Sequence, residues 1–297
     1  MMHKVAVTGA TGWIGRYVVA LLLDKGYEVH ATYRQTPLAT GGIWHRVNLL
    51  NGDEGVKFIK SVKPDSLIHL AWDAVPPQCY RSLANYEWTR NSMALIHHFV
   101  QCGGQRVVVA GTGAEYRWEE GLLTENSSPD SFANAYAASK NSLRIWLESY
   151  AQIAGFSAAW GRVFHLFGPH DPGNRLVASI ITSLINKREA FCKFGDLNRD
   201  YIYIEDAADA FVALFESGCE GTVNIANGKP IQLKQLALQI GTLMGSEDKI
   251  IFGNEPPKEP IIIGADVGRL RDEVRWKPRF SLVEGLTRTI GWYAEQE

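Results

Sequence analysis

Short apolar runs alternate with longer segments of helical periodicity through the first half of the chain. Residues 5–8 are a β-branched run typical of a buried strand, and residues 12–25 place their apolar side chains on one helical face. Strands that alternate with helices predict βαβ units and therefore a parallel, doubly wound sheet. The predicted strands are residues 5–8, 28–33, 47–49, 66–70, 106–110 and 157–164, and the predicted helices are residues 12–25, 53–62, 86–103 and 134–155.

The pattern changes after Phe164, where loops rich in glycine and proline separate shorter elements. Helices are predicted over residues 205–216 and 233–244, and the three prolines of residues 254–260 indicate a loop. We therefore predict an α/β protein. A Rossmann domain takes residues 1–164, and a smaller α+β substrate-binding lobe takes residues 165–297, with some crossing of the chain between them.

Composition and charge exclude several classes of protein. With 46% apolar and 21% charged residues, the chain of 297 residues has a globular rather than a disordered composition. Its net charge of −2 gives no basic excess for nucleic acid or an anionic membrane. No apolar run reaches membrane-spanning length and no signal-peptide segment precedes the first strand, so we expect a cytoplasmic protein. The four cysteines lack zinc-ligand spacing, and we expect reduced thiols and no metal at Cys79, Cys102, Cys192 and Cys219.

Three glycines lie at the junction of the first predicted strand and helix, in Gly9-Ala10-Thr11-Gly12-Trp13-Ile14-Gly15. Glycine permits a tight turn whose backbone N–H groups can approach a pyrophosphate, and the helix N-terminus adds partial positive charge. This placement predicts a dinucleotide site; a tight turn that binds no ligand is the alternative.

The GxxGxxG spacing, with Thr8 before it, resembles the extended short-chain dehydrogenase/reductase family of the NAD-dependent epimerase/dehydratase type. Further matching segments are His69-Leu70-Ala71, residues 110–116, Tyr136-Ala137-Ala138-Ser139-Lys140, Gly168-Pro169 and residues 199–206. The resemblance implies that Thr112, Tyr136 and Lys140 are catalytic. It also implies cofactor contacts from Gly9, Thr11, Gly12, Trp13, Ile14, Gly15, Asn48, Leu49, Leu70, Ala71, Asn91, Tyr136, Lys140 and Phe164.

Tyr136 and Lys140 are spaced for proton transfer. Positions i and i+4 share one face of a helix, and an ammonium group beside a phenol lowers the phenol pKa from about 10 toward neutrality. Tyr136 could then exchange the proton that accompanies hydride transfer. Lys140 would also hold the nicotinamide ribose, and Thr112 would align the reacting oxygen. An ordinary pair on a helix surface is the alternative.

The end of the second predicted strand bears on the choice of cofactor. NAD-binding Rossmann sites usually carry an Asp or Glu there for the ribose hydroxyls. This chain has Ala31-Thr32-Tyr33-Arg34, and Arg34 could bind a 2′-phosphate through two parallel hydrogen bonds. We expect NADP(H), with NAD as the alternative if Arg34 is only solvated.

The resemblance places substrate contacts in and beside the second lobe. The family's diphosphate-binding arginine maps to Arg199, and Arg175, ahead of a predicted helix, is a second candidate. Solvated arginines are the alternative. His165 replaces the family's asparagine, and a buried structural imidazole is the alternative there. The expected partner is a nucleotide-diphosphate sugar, with further contacts from Trp72, Thr112 and Gly113.

The residues that follow Thr112 narrow the reaction. Dehydratases of the family carry an acid pair there, whereas this chain has Gly113 and Ala114, and Glu115 comes one position too late. Elimination of water therefore lacks its acid and base. We expect an NADP(H)-dependent reductase of a nucleotide-linked 4-keto-6-deoxysugar. An NAD-dependent 4-epimerase is the alternative, and a non-catalytic NADP(H) sensor is a remote third.

The resemblance also implies a homodimer. Residues 86–103 and 134–155 of two chains would form a four-helix bundle. Trp146 would fit such an interface if it were exposed, but it would fit the protein core equally well.

Overall fold

The predicted alternation of strands and helices is present in the computed structural model, which describes residues 3–172 and 175–296. The strands are β1 (Lys4–Thr8), β2 (Glu28–Tyr33), β3 (Ile43–Arg46), β4 (Ser66–His69), β5 (Arg106–Thr112), β6 (Gly121–Leu123), β7 (Ser157–Val163), β8 (His165–Phe167), β9 (Ala190–Cys192), β10 (Asn198–Arg199), β11 (Tyr201–Tyr203), β12 (Gly221–Ile225), β13 (Ile231–Gln232), β14 (Ile250–Phe252) and β15 (Ile262–Ala265). The α-helices are α1 (Trp13–Asp24), α2 (Gly52–Val62), α3 (Ala84–Gln101), α4 (Ala135–Ala154), α5 (Leu176–Ile185), α6 (Ile204–Ser217), α7 (Leu233–Leu243), α8 (Gly268–Asp272) and α9 (Leu282–Ala294). Short 3-10 helices cover Gln78–Tyr80, Gly113–Glu115 and Glu247–Lys249.

A parallel sheet lies at the centre of the described chain. Seven of its strands pair in the order β3-β2-β1-β4-β5-β7-β12, and every pair is parallel. Its central strands are buried on both faces, as in β4 and β5, because helices cover each side. Helices α1 and α6 pack on one face, and α2, α3 and α4 pack on the other. This architecture confirms the predicted α/β Rossmann class.

A second lobe is built from the short strands of the C-terminal part of the chain and from β6. The order β13-β10-β15-β6 gives one small sheet, and β8 with β11 and β9 with β14 give two strand pairs. Helices α5, α7 and α9 share an apolar core around Phe167, Ile181, Leu236 and Leu286. The chain also crosses back: α6 and β12 follow the start of this lobe in sequence but belong to the central sheet layer.

One predicted strand is wrong. Residues 47–49 follow the third strand instead of forming it, and β3 ends at Arg46. Val47 and Leu49 are apolar because they pack beneath a turn in which Asn51 N–H donates to the Asn48 carbonyl at 2.9 Å. Apolar content alone could not separate a strand from a buried turn.

Several other elements differ in extent or were missed. Strand β5 continues two residues past the predicted end, so Thr112 is its last residue. Helices α8 and α9 and strand β12 had no predicted counterpart, whereas residues 254–260 form the predicted loop.

Among the helices of residues 3–172 and 175–296, none combines the length and the apolar character needed to cross a membrane.

The packing of β7 against α6 is testable at Gly161. A Cβ added there would lie 2.6 Å from Phe211 Cε1 and 3.1 Å from Ile225 Cγ1. We expect Gly161→Ala to lower the free energy of unfolding by about 1–3 kcal/mol, the usual effect of overpacking. In urea titrations, Phe211→Leu should lower the free energy of unfolding less in the Gly161→Ala variant than in the wild type. Additive losses would contradict this contact.

Candidate active site

A cleft opens at the carboxyl ends of the central strands, where parallel sheets place their ligands. Its volume is about 340 Å³, and the second lobe forms its far wall. Residues from the ends of β4, β5 and β7 meet there because those strands are neighbours in the sheet. The predicted site residues in its lining are Ile14, Leu70, Trp72, Thr112, Gly113, Tyr136, Lys140, Phe164, His165 and Arg175.

The glycine turn between β1 and α1 is closed too tightly for side chains. Gly9 has φ +68°, and a Cβ there would lie 2.7 Å from Ala71 N. A Cβ at Gly15 would lie 2.1 Å from the Gly9 carbonyl oxygen, and Gly12 N–H donates to that oxygen at 2.9 Å. Within residues 3–172, no side chain caps the start of α1. Its first N–H groups, beside Thr11, therefore suit an anion such as the pyrophosphate of a dinucleotide.

Trp13 connects this turn to the second lobe. Its indole N–H donates to the Pro169 carbonyl at 2.7 Å, and the Arg175 guanidinium lies 4.8 Å from the ring centroid. Arg175 also donates to Asp171 at 2.7 Å. Gly173 and Asn174, the neighbours in the motif that pointed to Arg175, lie outside the described residues.

The predicted adenosine side of the site lies at the tips of β2 and β3. Arg34 follows β2 directly and is exposed. Asn48 is in the turn after β3, where its side-chain oxygen accepts from Leu50 N–H at 3.2 Å. Asn91 does not point out of the fold here; its amide donates to the carbonyls of Leu49 and Leu50 at 3.0 and 2.9 Å. Asn91 therefore shapes this surface by fixing the turn.

Thr112, Tyr136 and Lys140 are brought together where α4 passes the end of β5. Asn134 caps α4 by accepting from Ala137 N–H at 2.9 Å, which fixes the turn that carries Tyr136. The Thr112 side chain lies close enough to the Tyr136 phenol to lower the phenol pKa. Tyr136 is 7% exposed and Lys140 is 3% exposed. The structure therefore forms the predicted trio inside the cleft.

The prediction that Lys140 lowers the pKa of Tyr136 toward neutrality is wrong for the chain in this structure. Burial raises the pKa of Tyr136 above its ordinary value near 10, and the neighbouring Thr112 hydroxyl only partly opposes the rise. Burial also lowers the pKa of Lys140 to about 7, against the opposing charge of Glu115. Lys140 Nζ donates to the Ala110 carbonyl at 2.8 Å and lies 3.8 Å from the Trp72 ring centroid. Its charge is therefore committed to these groups rather than to the phenol.

His165 and Arg199 have different surroundings. Burial, with the nearby charge of Arg199, lowers the pKa of His165 to about 4, so its imidazole is neutral. It lies between the rings of Trp118 and Tyr201, at centroid distances of 6.1 and 5.4 Å. Arg199 is 3% exposed and absent from the described lining of the cleft.

The Arg199 guanidinium already has hydrogen-bond partners, two of them in the loop of residues 254–260. The Arg199 guanidinium donates to the carbonyls of Asn198, Pro260 and Ile261 at 2.8–3.2 Å, and to Glu259 at 2.7 Å. This placement gives no support to the predicted direct contact with a diphosphate, because both terminal nitrogens of the guanidinium already have partners.

Sequence reasoning missed the aromatic walls of the cleft. Tyr80, Trp118 and Tyr201 line it with Trp72 and Phe164. Tyr80 lies edge-on to Tyr136 at 6.2 Å. Tyr80 belongs to an irregular segment with no periodic signal. Tyr201, within the matched residues 199–206, and Trp118, two residues beyond the matched Tyr116, could have been found from the motifs.

The sheet, the uncapped glycine turn and the buried Thr–Tyr–Lys trio define a dinucleotide-binding Rossmann protein. A family model narrows this further: the NAD dependent epimerase/dehydratase family matches residues 5–226. The chain belongs to that family, which confirms the resemblance seen in its motifs.

Relatives of known activity extend over nearly the whole chain. It is 25% identical to UDP-glucose 4-epimerase of Azospirillum brasilense, over 97% of this chain and 91% of that protein. It is 26% identical to UDP-glucuronate 4-epimerase of Thermodesulfobacterium geofontis, over 97% and 95%. The structure of UDP-glucose 4-epimerase from Thermotoga maritima, with UDP-glucose, shares the fold with a TM-score of 0.88 at 21% identity over 99% of both chains.

The burial of Lys140 predicts a pH-dependent stability. Because its pKa is about 7 when folded and near 10.5 ordinarily, the unfolded chain binds more protons between these values, and stability rises with pH there. Relative to Lys140→Met, the wild type should gain about 1.4 kcal/mol per pH unit between about pH 7.5 and 9.5. Denaturant titrations measure this difference. Lys229→Met, at an exposed lysine, is the control; a flat difference for Lys140→Met would contradict the burial.

Proposed function

We propose that this protein is a nucleotide-sugar 4-epimerase, which removes hydride from one carbinol carbon and returns it to the opposite face. The observation that carries the proposal is the chemistry of the cleft. Among the described residues that line it there is no Asp or Glu, and Tyr136 with Thr112 lies at its base. With no carboxyl group in the described lining, Tyr136 is the group placed to exchange one proton at one substrate oxygen.

The same observation argues against elimination of water. Gly113 and Ala114 line the cleft where the family's dehydratases carry carboxyl groups. Glu115 follows them, but its side chain is fully buried beneath the cleft. A second acid–base pair is therefore missing from the described lining, and the reaction reduces to hydride and proton movement at one carbon.

Each residue of the trio has a defined task in this reaction. A bound nicotinamide dinucleotide supplies the hydride acceptor and donor, and the Gly9–Gly15 turn with the start of α1 would hold its pyrophosphate. Tyr136 exchanges the proton of the substrate oxygen. The Thr112 hydroxyl accepts from Ala114 N–H at 3.2 Å, which leaves its own proton to orient toward the phenol and the substrate oxygen. Lys140 would hold the nicotinamide ribose.

The relatives favour epimerisation over net reduction. UDP-sugar 4-epimerases match this chain over 97% of its length, and they support a uridine diphosphate sugar as substrate. The aromatic walls formed by Trp72, Tyr80, Trp118 and Tyr201 suit the two apolar faces of a sugar ring that must present each face in turn.

Purified protein with UDP-glucose or UDP-glucuronate tests the proposal. We expect interconversion with the 4-epimer, followed by proton NMR of the anomeric signals, without net change in absorbance at 340 nm. Tyr136→Phe should lower kcat by about 100-fold or more, the usual contribution of a positioned acid–base group. Tyr80→Phe removes a neighbouring phenol from the same cleft and should retain kcat within a few-fold. Stoichiometric consumption of NADPH instead of epimerisation would overturn the proposal.

A second candidate, an NADPH-dependent reductase of a 4-keto sugar nucleotide, is favoured by one specific observation. Arg34 is exposed directly after β2, where the chain has no acid to bind ribose hydroxyls. An exposed guanidinium at that point can pair with a 2′-phosphate.

Cofactor titration of Arg34→Ala separates the two candidates. If a 2′-phosphate binds there, the variant should lose about 10- to 100-fold in NADP(H) affinity, the value of hydrogen bonds to a charged group, and keep its NAD(H) affinity. Quenching of protein fluorescence measures both. If the wild type binds NADP(H) and NAD(H) equally well, and Arg34→Ala does the same, Arg34 does not bind a 2′-phosphate. The NAD-dependent epimerase would then be the candidate that is kept.

We also propose that the protein forms a homodimer and that it is cytoplasmic. The outer faces of α3 and α4 support the dimer, because Tyr86, Ile145 and Ile153 are 56%, 50% and 83% exposed. Trp146 is half-buried and stacks on Tyr150 at 5.0 Å, so it contributes to the edge of the core rather than to a bare surface.

A further inference from the structure

A buried carboxylate lies directly beneath the catalytic trio. Glu115 is 0% exposed and belongs to the 3-10 helix that follows Thr112. Its Oε1 accepts from Thr112 N–H at 2.7 Å, and its Oε2 accepts from Arg162 Nε at 2.8 Å. Trp160 Nε1 lies 2.9 and 3.1 Å from the two oxygens. Such a carboxylate is stable in the interior only because its charge and lone pairs are matched.

The partners of Glu115 come from different parts of the central domain. Arg162 belongs to β7, is 1% exposed, and pairs also with Asp130 at 2.7 Å. Asn141 of α4, the residue directly after Lys140, donates to the Glu115 carbonyl at 2.9 Å. The end of β5, the neighbouring strand and the catalytic helix are therefore held around one side chain.

The Glu115 carboxylate reaches the reacting groups through one backbone atom. It accepts from Thr112 N–H at 2.7 Å, and the Thr112 side chain lies beside the Tyr136 phenol, whose pKa it lowers. We propose that Glu115 is a positioning residue, whose charged carboxylate holds Thr112 at the orientation in which its hydroxyl aligns the substrate oxygen with Tyr136. The inference rests on the proposed hydride and proton exchange at this trio.

The structure distinguishes this role from simple support of the fold. Arg162 has two carboxylate partners at nearly equal distance, Glu115 at 2.8 Å and Asp130 at 2.7 Å. Only Glu115 touches Thr112 among the contacts of these two acids in the described chain. Asp130 pairs instead with Arg144 on the outer side of α4. Asp130 is therefore a control for loss of an ion pair with the buried Arg162 without loss of the Thr112 contact.

Steady-state kinetics on the epimerised sugar nucleotide tests the role. Glu115→Gln keeps the shape but replaces a charged acceptor by an amide, and we expect kcat to fall about 10- to 100-fold with KM within about twofold, as for a displaced catalytic group. Asp130→Asn should keep kcat within about threefold. In a Thr112→Ala background, Glu115→Gln should have little further effect, because its target is gone. Independent, multiplicative losses in the double variant would overturn the role.

A second measurement does not require turnover. Amide hydrogen exchange at Thr112 should be about tenfold faster in Glu115→Gln than in the wild type, since a charge-assisted hydrogen bond is lost, and unchanged in Asp130→Asn. If Glu115→Gln does not fold, Trp160→Phe removes one donor to the carboxylate and should show a smaller change in the same direction. A wild-type protein that is inactive on every sugar nucleotide would contradict the proposed function but not the Glu115 role. Unchanged exchange of the Thr112 amide in Glu115→Gln and in Trp160→Phe would overturn the Glu115 role but not the proposed function.

Discussion

The neutralisation of one buried charge is the constraint on which the active site depends. An unpaired carboxylate in the interior would cost several kcal/mol, so Glu115 has to lie where Arg162, Trp160 and the Thr112 N–H group converge. Those partners sit on two adjacent strands, and Asn141 joins the catalytic helix to them. The positions of Thr112, Tyr136 and Lys140 therefore depend on the buried charges and hydrogen bonds around Glu115 as much as on the residues that line the cleft.

The central sheet and the second lobe divide the remaining work. The sheet supplies strand ends and a helix N-terminus, the two features that α/β proteins use for nucleotides and for chemistry. The lobe supplies the far wall of the cleft, including Tyr201 and Arg175. Within the described residues, aromatic rings line the cleft and no carboxyl group does, which is the basis for the proposed exchange of one hydride and one proton.

Local patterns predicted what local interactions determine. The glycine turn and the Tyr136–Lys140 spacing require particular residues at fixed separations, and both were found from the sequence. Residues 47–49 were misassigned because Val47 is apolar for reasons of tertiary packing. The pKa values of Tyr136 and Lys140 were missed for the same reason, since burial depends on every element around them. The engagement of Arg199 by the loop of residues 254–260 needed contacts about 60 residues apart, which no spacing rule contains.

Trp13 has a consequence for how the two halves of the site communicate. Its backbone belongs to the glycine turn, while its indole donates to Pro169 and lies under Arg175, both in the second lobe. One rigid side chain is thus shared between the dinucleotide side and the substrate side. Thermodynamic linkage is reciprocal: whatever factor a dinucleotide adds to substrate affinity by ordering Trp13, the substrate returns to the dinucleotide. In the proposed reaction, the affinity for the dinucleotide would then depend on both lobes together.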